Sequence, residues 1–118
     1  MMDYKELDVW KKSRSLTSSI YNLSRTFPKD EVFGLTSQMR RAAVSVSSNI
    51  AEGCGRQHAK DSIQIFYIAR GSLYELETQL YVASDQGYVK QPVFDQTINE
   101  ITNCKQMLNG LIKYFKGL

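Results

Sequence analysis

The stretch FYIARGSLYELETQL, residues 66–80, has the period of an amphipathic α-helix. Its apolar side chains recur every three or four residues, which places them on one face of a helix. The series continues beyond the stretch and comprises Phe66, Ala69, Leu73, Leu76, Leu80 and Ala83. The segment therefore predicts a helix that docks on a core through one stripe.

Three further segments of the chain show the same helical period, and no stretch alternates convincingly with the period of a strand. The breaks between segments are FPKDEVFG (27–34), EGCGRQ (52–57) and DQGYVKQP (85–92), which contain both prolines and several glycines. A length of 118 residues suits one domain. We expect an all-α fold in which residues 1–118 form a single antiparallel, up-down-up-down four-helix bundle. The predicted stripes are Val9, Ser13, Leu16, Ile20, Leu23 and Phe27; Leu35, Met39, Ala42, Val46, Asn49 and Gly53; and Phe94, Ile98, Ile101, Cys104, Leu108, Ile112 and Phe115.

The second predicted helix is unusual because RRAAVSVSSNIAEG, residues 40–53, is rich in small and polar side chains. Its stripe includes Asn49, which we expect to be buried, hydrogen-bonded and able to fix the register of a helical assembly. Arg41 and Glu52 lie on a polar line along an adjacent face, which suits them to a structural pair. Glu52 also precedes Arg56 by four residues, a spacing that favours an ion pair. The pattern predicts a closely packed, partly polar contact helix.

A second line of side chains follows the third predicted helix beside its core stripe. It contains Tyr67, Arg70, Tyr74 and Tyr81, together with Ile63 and Glu77. Tyrosine and arginine are enriched at protein–protein interfaces, so this line predicts self-association. The alternative is that the tyrosines cover the flanks of the core with their hydroxyls in water.

The chain has a formal net charge of +3, and its basic surplus lies in the first half of the sequence. Such a surplus can form a patch for polyanions, although a solvated face is the simpler interpretation. Arg40 fits either this patch or the structural face of its helix. The candidate nucleic-acid-binding residues are Lys11, Lys12, Arg14, Arg40, Arg56 and Lys60.

The sequence lacks the usual combinations of catalytic or metal-binding residues. His58 is the single histidine, and with Cys54 and Cys104 it falls short of the four ligands of a structural zinc site. Neither a GxSxG motif nor a phosphate-binding glycine loop is present. We expect no enzyme activity, metal, cofactor or small-molecule substrate, and an enzyme that uses Glu52, Cys54 and His58 is the least favoured alternative.

The composition indicates a cytoplasmic protein that does not enter a membrane. The two cysteines are consistent with reduced thiols, and the N-terminal MMDYKELDVW lacks the apolar region of a signal peptide. The longest apolar runs are much shorter than the roughly 20 residues that a membrane-spanning helix requires.

Three stretches of the chain closely resemble the bacterial four-helix bundle proteins known as 23S rRNA intervening-sequence proteins. They are LDVW (7–10), IYNLSRTFPKDEVFGLTSQMRRAAVSVSSNIAEGCGR (20–56) and FYIARGSLYELETQL (66–80). The sequence departs from the pattern of that family at Ser47, where proline is frequent, and at Cys54, where an aromatic residue is frequent. The resemblance implies an all-helical protomer, a ring-like homopentamer and a link to structured RNA or other nucleic acid. It supplies no catalytic residues.

Together, these features predict a non-enzymatic, homo-oligomeric protein that binds nucleic acid. Its expected partners are further copies of itself, most simply in a pentamer, and structured RNA or other nucleic acid. The alternative is a scaffold that binds only protein, such as an accessory subunit of a nucleic-acid enzyme with no direct RNA contact.

Overall fold

The computed structural model describes residues 2–118, which fold into four α-helices and two short 3-10 helices, with no strand in that range. The 3-10 helices comprise Tyr4–Glu6 and Lys29–Glu31. The all-helical fold predicted from the sequence is confirmed. The α-helices are α1, Asp8–Ser24; α2, Leu35–Cys54; α3, Ala59–Asp85; and α4, Gln91–Lys116.

Each helix packs against two others around a shared core. The contacts join α1 to α2, α2 to α3, α3 to α4 and α1 to α4, with the most extensive contact between α2 and α3. The core stripe predicted for α3 is completely buried. The chain forms an elongated body of 45 × 25 × 20 Å.

The polar part of α2 lies at the edge of the core. Asn49 is only partly exposed, but the fully buried side chain in this turn is Ile50, so the prediction of a buried Asn49 is wrong. A stripe that alternates strictly by three and four drifts from the 3.6-residue turn of a helix, which explains the shift. Asn49 Nδ2 donates to the Ser45 carbonyl at 2.8 Å and to Ser45 Oγ at 2.9 Å. Ser45 Oγ in turn lies 2.9 Å from Ser72 Oγ on α3, so the hydrogen bonds of Asn49 connect the two helices.

A glycine allows the end of α2 to approach α3 closely. Gly53 is buried inside the last turn of α2, and a Cβ atom added there would lie 2.7 Å from Phe66 Cδ1. The Phe66 ring is completely buried and packs edge-to-face on Phe115 of α4, with centroids 4.9 Å apart. Gly53 therefore belongs to the helix and provides space for Phe66, whereas the helix ends at Cys54 with Gly55 as its cap.

A second glycine ends α3. Gly87 has a φ of +78°, in the left-handed region that glycine adopts without strain. Its N–H donates to the Ser84 carbonyl at 2.9 Å, and the N–H of Tyr88 donates to the Ala83 carbonyl at 3.0 Å. These two bonds form a Schellman motif, which ends the helix and turns the chain toward α4.

Glu31 joins the two connections at one end of the molecule, which we call the loop end: residues 25–34 and 86–90. Glu31 Oε1 accepts the Leu35 N–H at 3.2 Å and so caps the start of α2. Glu31 Oε2 accepts the Tyr88 hydroxyl at 3.0 Å, and the Tyr88 ring packs on Phe27 with centroids 5.3 Å apart. The hydrogen bond to Glu31 is the main cause of a raised pKa of Tyr88.

The contact between α1 and α4 includes a hydrogen bond between distant parts of the sequence. Ser19 Oγ donates to Glu100 Oε1 at 3.0 Å. The second carboxylate oxygen, Glu100 Oε2, is buried and has no hydrogen-bond partner among residues 2–118.

Candidate functional site

The opposite end of the molecule brings together the start of the chain, the end of α2, the start of α3 and the end of α4. One groove at this end is lined by residues of all four segments, among them Met2, Arg56, Ala59 and Phe115. We call residues 2–14, 52–61 and 112–118 the basic end. These residues include eight Lys or Arg and five Asp or Glu. The formal surplus of +3 for the whole chain is therefore confined to the basic end.

The predicted cations of α1 lie on its exposed surface at the basic end. Lys11, Lys12 and Arg14 are all exposed. The Arg14 guanidinium lies 4.8 Å from the centroid of the Trp10 ring, which packs edge-to-face on Tyr4 with centroids 5.2 Å apart. Trp10 therefore holds the Arg14 side chain at the surface by a cation–π contact.

The predicted cations around the α2–α3 connection lie at the same end. Lys60 is exposed in the first turn of α3. Arg56 Nη2 lies 2.7 Å from Glu52 Oε1, which confirms the ion pair expected from their spacing. Both side chains of the pair are about half exposed, so it contributes less than about 1 kcal/mol. Arg41 lies three helical turns before Glu52 on α2, too far away for the two side chains to pair within one chain. The predicted pairing of Arg41 with Glu52 in the same chain is therefore wrong, and the partner of Glu52 is Arg56.

Arg40 lies away from the basic end and connects α2 to the last turns of α1. Its Nε donates to Ser24 Oγ at 2.9 Å, and its Nη2 donates to the Tyr21 carbonyl at 3.4 Å. The guanidinium also lies 4.6 Å from the centroid of the Tyr21 ring. The structure therefore separates Arg40 from the other five candidate cations.

Three cations of the basic end were not among the candidates. Lys113 and Lys116 lie in the last turn of α4, and Lys5 lies in the first 3-10 helix. A clustering of Lys and Arg along the sequence could not identify Lys113 and Lys116, because only the fold brings the end of α4 beside α1. Basic residues in the last turn of a helix are also common for their interaction with the helix dipole.

The tyrosine line of α3 begins on the side that faces α4. The Arg70 guanidinium lies 4.7 Å from the centroid of the Tyr67 ring, and Arg70 Nη1 donates to Asn109 Oδ1 of α4 at 3.1 Å. Tyr67 and Arg70 are both partly buried by these contacts. This part of the line therefore covers the flank of the core, as the alternative interpretation expects.

The remaining tyrosines of the line keep much of their surface in solvent. Tyr74 and Tyr81 are each 52% exposed. Tyr81 packs edge-to-face on Phe94 with centroids 5.1 Å apart, and Lys105 Nζ lies 5.0 Å from the centroid of the Tyr74 ring. Two half-exposed rings on one helix thus remain available for contact with another molecule.

The two thiols are poorly suited to nucleophilic chemistry. Cys54 and Cys104 are free and buried. Burial, aided by the charge of Glu100 and opposed by Lys12, raises the pKa of Cys104 to about 11. Burial also raises the pKa of Cys54. Both therefore stay protonated at neutral pH, whereas the thiolate is the reactive form.

The part of the chain that the structure describes contains no group of three or more His, Cys, Asp or Glu side chains that could hold a metal ion. Within the same range, none of the helices is both long and apolar enough to cross a bilayer.

Fold and surface thus define an all-helical, four-helix protein whose basic surplus gathers at one end. The chain belongs to the 23S rRNA-intervening sequence protein family, whose model matches residues 5–110. Among solved structures, it is similar to a protein of unknown function from the S23 ribosomal protein family of Bacteroides thetaiotaomicron. That similarity has a TM-score of 0.82 and 25% sequence identity, and covers 89% of this chain and 98% of the other. No curated protein matches the chain.

Proposed function

We propose that this protein is a non-enzymatic, homo-oligomeric four-helix bundle that binds RNA through its basic end. The observation that carries the proposal is the confinement of the net positive charge to that end. Lys11, Lys12 and Arg14 are exposed there, and an exposed cation that neutralises a phosphate releases condensed counterions. The name of the family, which refers to 23S rRNA, supports RNA as the polyanion.

The proposed protomer is a single domain of residues 1–118 with an antiparallel, up-down-up-down arrangement. Two contacts between α3 and α4 support it, because their order along one helix is the reverse of their order along the other. On α3 and α4, Phe66 packs on Phe115, whereas the later Tyr81 packs on the earlier Phe94. The buried free cysteines are consistent with a reducing compartment, and we place the protein in the cytoplasm.

Self-association would multiply the small net positive charge of one chain. Five copies, the number that the family resemblance implies, would carry about +15 in total, and rotational symmetry would repeat the basic end around the ring. A repeated patch raises the local concentration of a polyanion more than an isolated patch does. The half-exposed Tyr74 and Tyr81 are the proposed contacts between copies.

Tyr74→Ala is expected to weaken assembly more than Lys90→Ala, an exposed loop change. Interfacial tyrosines are frequent hot spots, and truncation of one typically costs more than about 1 kcal/mol of binding. Native mass spectrometry over a dilution series at micromolar concentrations should show dissociation of the Tyr74→Ala oligomer at concentrations where the control remains assembled. Equal stability of both oligomers would show that Tyr74 lies outside the interface. A monomeric wild type would refute self-association.

RNA binding should depend steeply on salt, and Lys11→Ala/Lys12→Ala should reduce that dependence. The slope of log affinity against log salt changes by about 0.7 to 0.9 per phosphate contact, so loss of both contacts should lower its magnitude by roughly 1.4 to 1.8. The measurement is fluorescence anisotropy with a stem–loop RNA. The matched control is Arg41→Ala/Lys90→Ala, which removes the same charge outside the basic end.

Equal salt slopes of Lys11→Ala/Lys12→Ala and Arg41→Ala/Lys90→Ala would exclude the basic end as the RNA-binding surface. The absence of RNA binding by the wild type at low salt would favour a scaffold that binds only protein.

A further inference from the structure

A groove at the loop end combines an apolar floor with three cationic side chains. It has a volume of about 460 Å³ and opens between the end of α1 and the start of α2. Its lining includes no carboxylate. The lining residues are Ser24, Arg25, Phe27, Pro28, Lys29, Val32, Thr36 and Arg40.

Neutral groups hold the two arginines of this groove in position. Arg25 Nη1 donates to Asn22 Oδ1 at 2.8 Å, and Arg40 Nε donates to Ser24 Oγ at 2.9 Å. The ion pairs among residues 2–118 are Arg56–Glu52 and Lys105–Glu77, so no carboxylate neutralises Arg25, Lys29 or Arg40 at close range. Most of the guanidinium N–H donors of Arg25 and Arg40 remain free for an anion.

The carboxylates nearest to the groove in sequence do not line it. Both oxygens of Glu31 accept hydrogen bonds from other parts of the chain, the Leu35 N–H and the Tyr88 hydroxyl. Asp30 is exposed to solvent. An anion that enters the groove would therefore meet cations and apolar surface.

The residue that follows Val32 of this groove in the sequence carries an almost fully exposed aromatic ring. Phe33 is 94% exposed, and its neighbour Val32, which lines the groove, is 51% exposed. A large apolar side chain in water forgoes the favourable free energy that burial provides. A flat ring beside cations is the combination with which proteins bind single-stranded nucleic acid, through base stacking and phosphate contacts.

We infer that the groove and Phe33 form a binding site for an unpaired stretch of RNA. One base stacks on the exposed face of Phe33, and the adjoining phosphates contact Arg25, Lys29 and the free donors of Arg40. The site selects single strands because the bases of a duplex are stacked on each other and cannot cover the ring. It tolerates many sequences, since every base has a π-face.

This inference rests on the proposed RNA-binding function and adds a second, strand-selective site to the basic end. A second copy of the chain could also cover Phe33, because exposed apolar groups occur at protein interfaces. The three cations without carboxylate partners favour a polyanion as the occupant. The two possibilities differ in whether loss of the ring changes the oligomeric mass.

The test measures the affinity of wild type and Phe33→Ala for oligouridylate and for an RNA duplex of the same length, by fluorescence anisotropy. Loss of one base stack should weaken oligouridylate binding by roughly 5- to 150-fold and leave duplex binding unchanged. Phe33→Tyr should restore the affinity because it keeps an aromatic face. Ile68→Ala, which truncates a side chain that is 57% exposed in the middle of α3, should match the wild type.

A second variant tests the phosphate contacts without changing the ring. Arg25→Ala/Lys29→Ala should reduce the salt slope for oligouridylate by about 1.4, the value for two single-strand phosphates. Native mass spectrometry and thermal melts of every variant measure whether assembly and folding are retained.

Two results would overturn the inference while leaving the proposed function intact. The first is wild-type RNA binding that neither Phe33→Ala nor Arg25→Ala/Lys29→Ala alters. The second is a changed oligomeric mass in Phe33→Ala with unchanged oligouridylate affinity, which would make the ring a contact between copies. If the wild type bound neither RNA, both the proposed function and this site would fail.

Discussion

Gly53→Ala is expected to lower the free energy of unfolding by about 1 to 3 kcal/mol, although alanine is the better helix former. The added methyl group would lie 2.7 Å from Phe66 Cδ1, well inside van der Waals contact. The Phe66 ring cannot swing into solvent, because it is completely buried and packs on Phe115. Relief of the clash would have to move α2 away from α3 along their extensive contact.

Two other glycines provide matched controls for this effect. Gly71 in α3 and Gly110 in α4 are also helical but, unlike Gly53, are exposed, and an added Cβ atom would meet nothing within 4 Å. Gly71→Ala and Gly110→Ala should therefore stabilise the protein by about 0.4 to 1 kcal/mol. Thermal melts at one fixed protein concentration can compare all three. A Gly53→Ala melting temperature equal to that of the controls would show that the α2–α3 contact adapts to the methyl group.

Glu31→Ala should cost about 1 kcal/mol or more of unfolding free energy. The substitution removes an acceptor from the Leu35 N–H at the start of α2, and loss of a helix cap typically costs about 1 kcal/mol. It also removes the charged acceptor of the Tyr88 hydroxyl, which joins the two connections of the loop end. Asp30→Ala is the matched control, because it removes a neighbouring exposed carboxylate and should change stability by less than about 0.5 kcal/mol.

The same interaction predicts a dependence of stability on alkaline pH. Glu31 raises the pKa of Tyr88 above its ordinary value of 10.0, so the unfolded chain loses the Tyr88 proton first. The contribution of this group is present below pH 10 and is lost as the pH rises through the raised pKa of the folded state. Urea unfolding of wild type and Tyr88→Phe at pH 8 to 11 should show a steeper decline for the wild type. Parallel curves, or equal stability of Glu31→Ala and Asp30→Ala, would contradict the role of Glu31.

The sequence predicts the helices well because their signals are local. The stripe of α3, from Phe66 to Ala83, is buried at every predicted position. The stripe of α2 is correct at Met39 and Val46 but moves from Asn49 to Ile50, since strict spacing by three and four does not follow a straight helix.

The candidate site could be predicted only in part, because it depends on contacts between distant segments. The clusters at Lys11–Arg14 and Arg56–Lys60 are visible in the sequence, and both lie at the basic end. Lys116 joins them only because α4 returns to that end. Glu31 and Tyr88 are 57 residues apart, and no local pattern relates them.

The arrangement of the helices has a consequence for how the chain folds. Three of the four helix contacts join neighbours in sequence, so short connections can close each of them at a low cost in chain entropy. The contact between α1 and α4 is different, because the hydrogen bond from Ser19 to Glu100 closes a loop across 81 positions. This seam carries the largest loop-closure cost and also contains the unpartnered oxygen of Glu100. The bundle should therefore close at this seam last during folding and open first at the same seam.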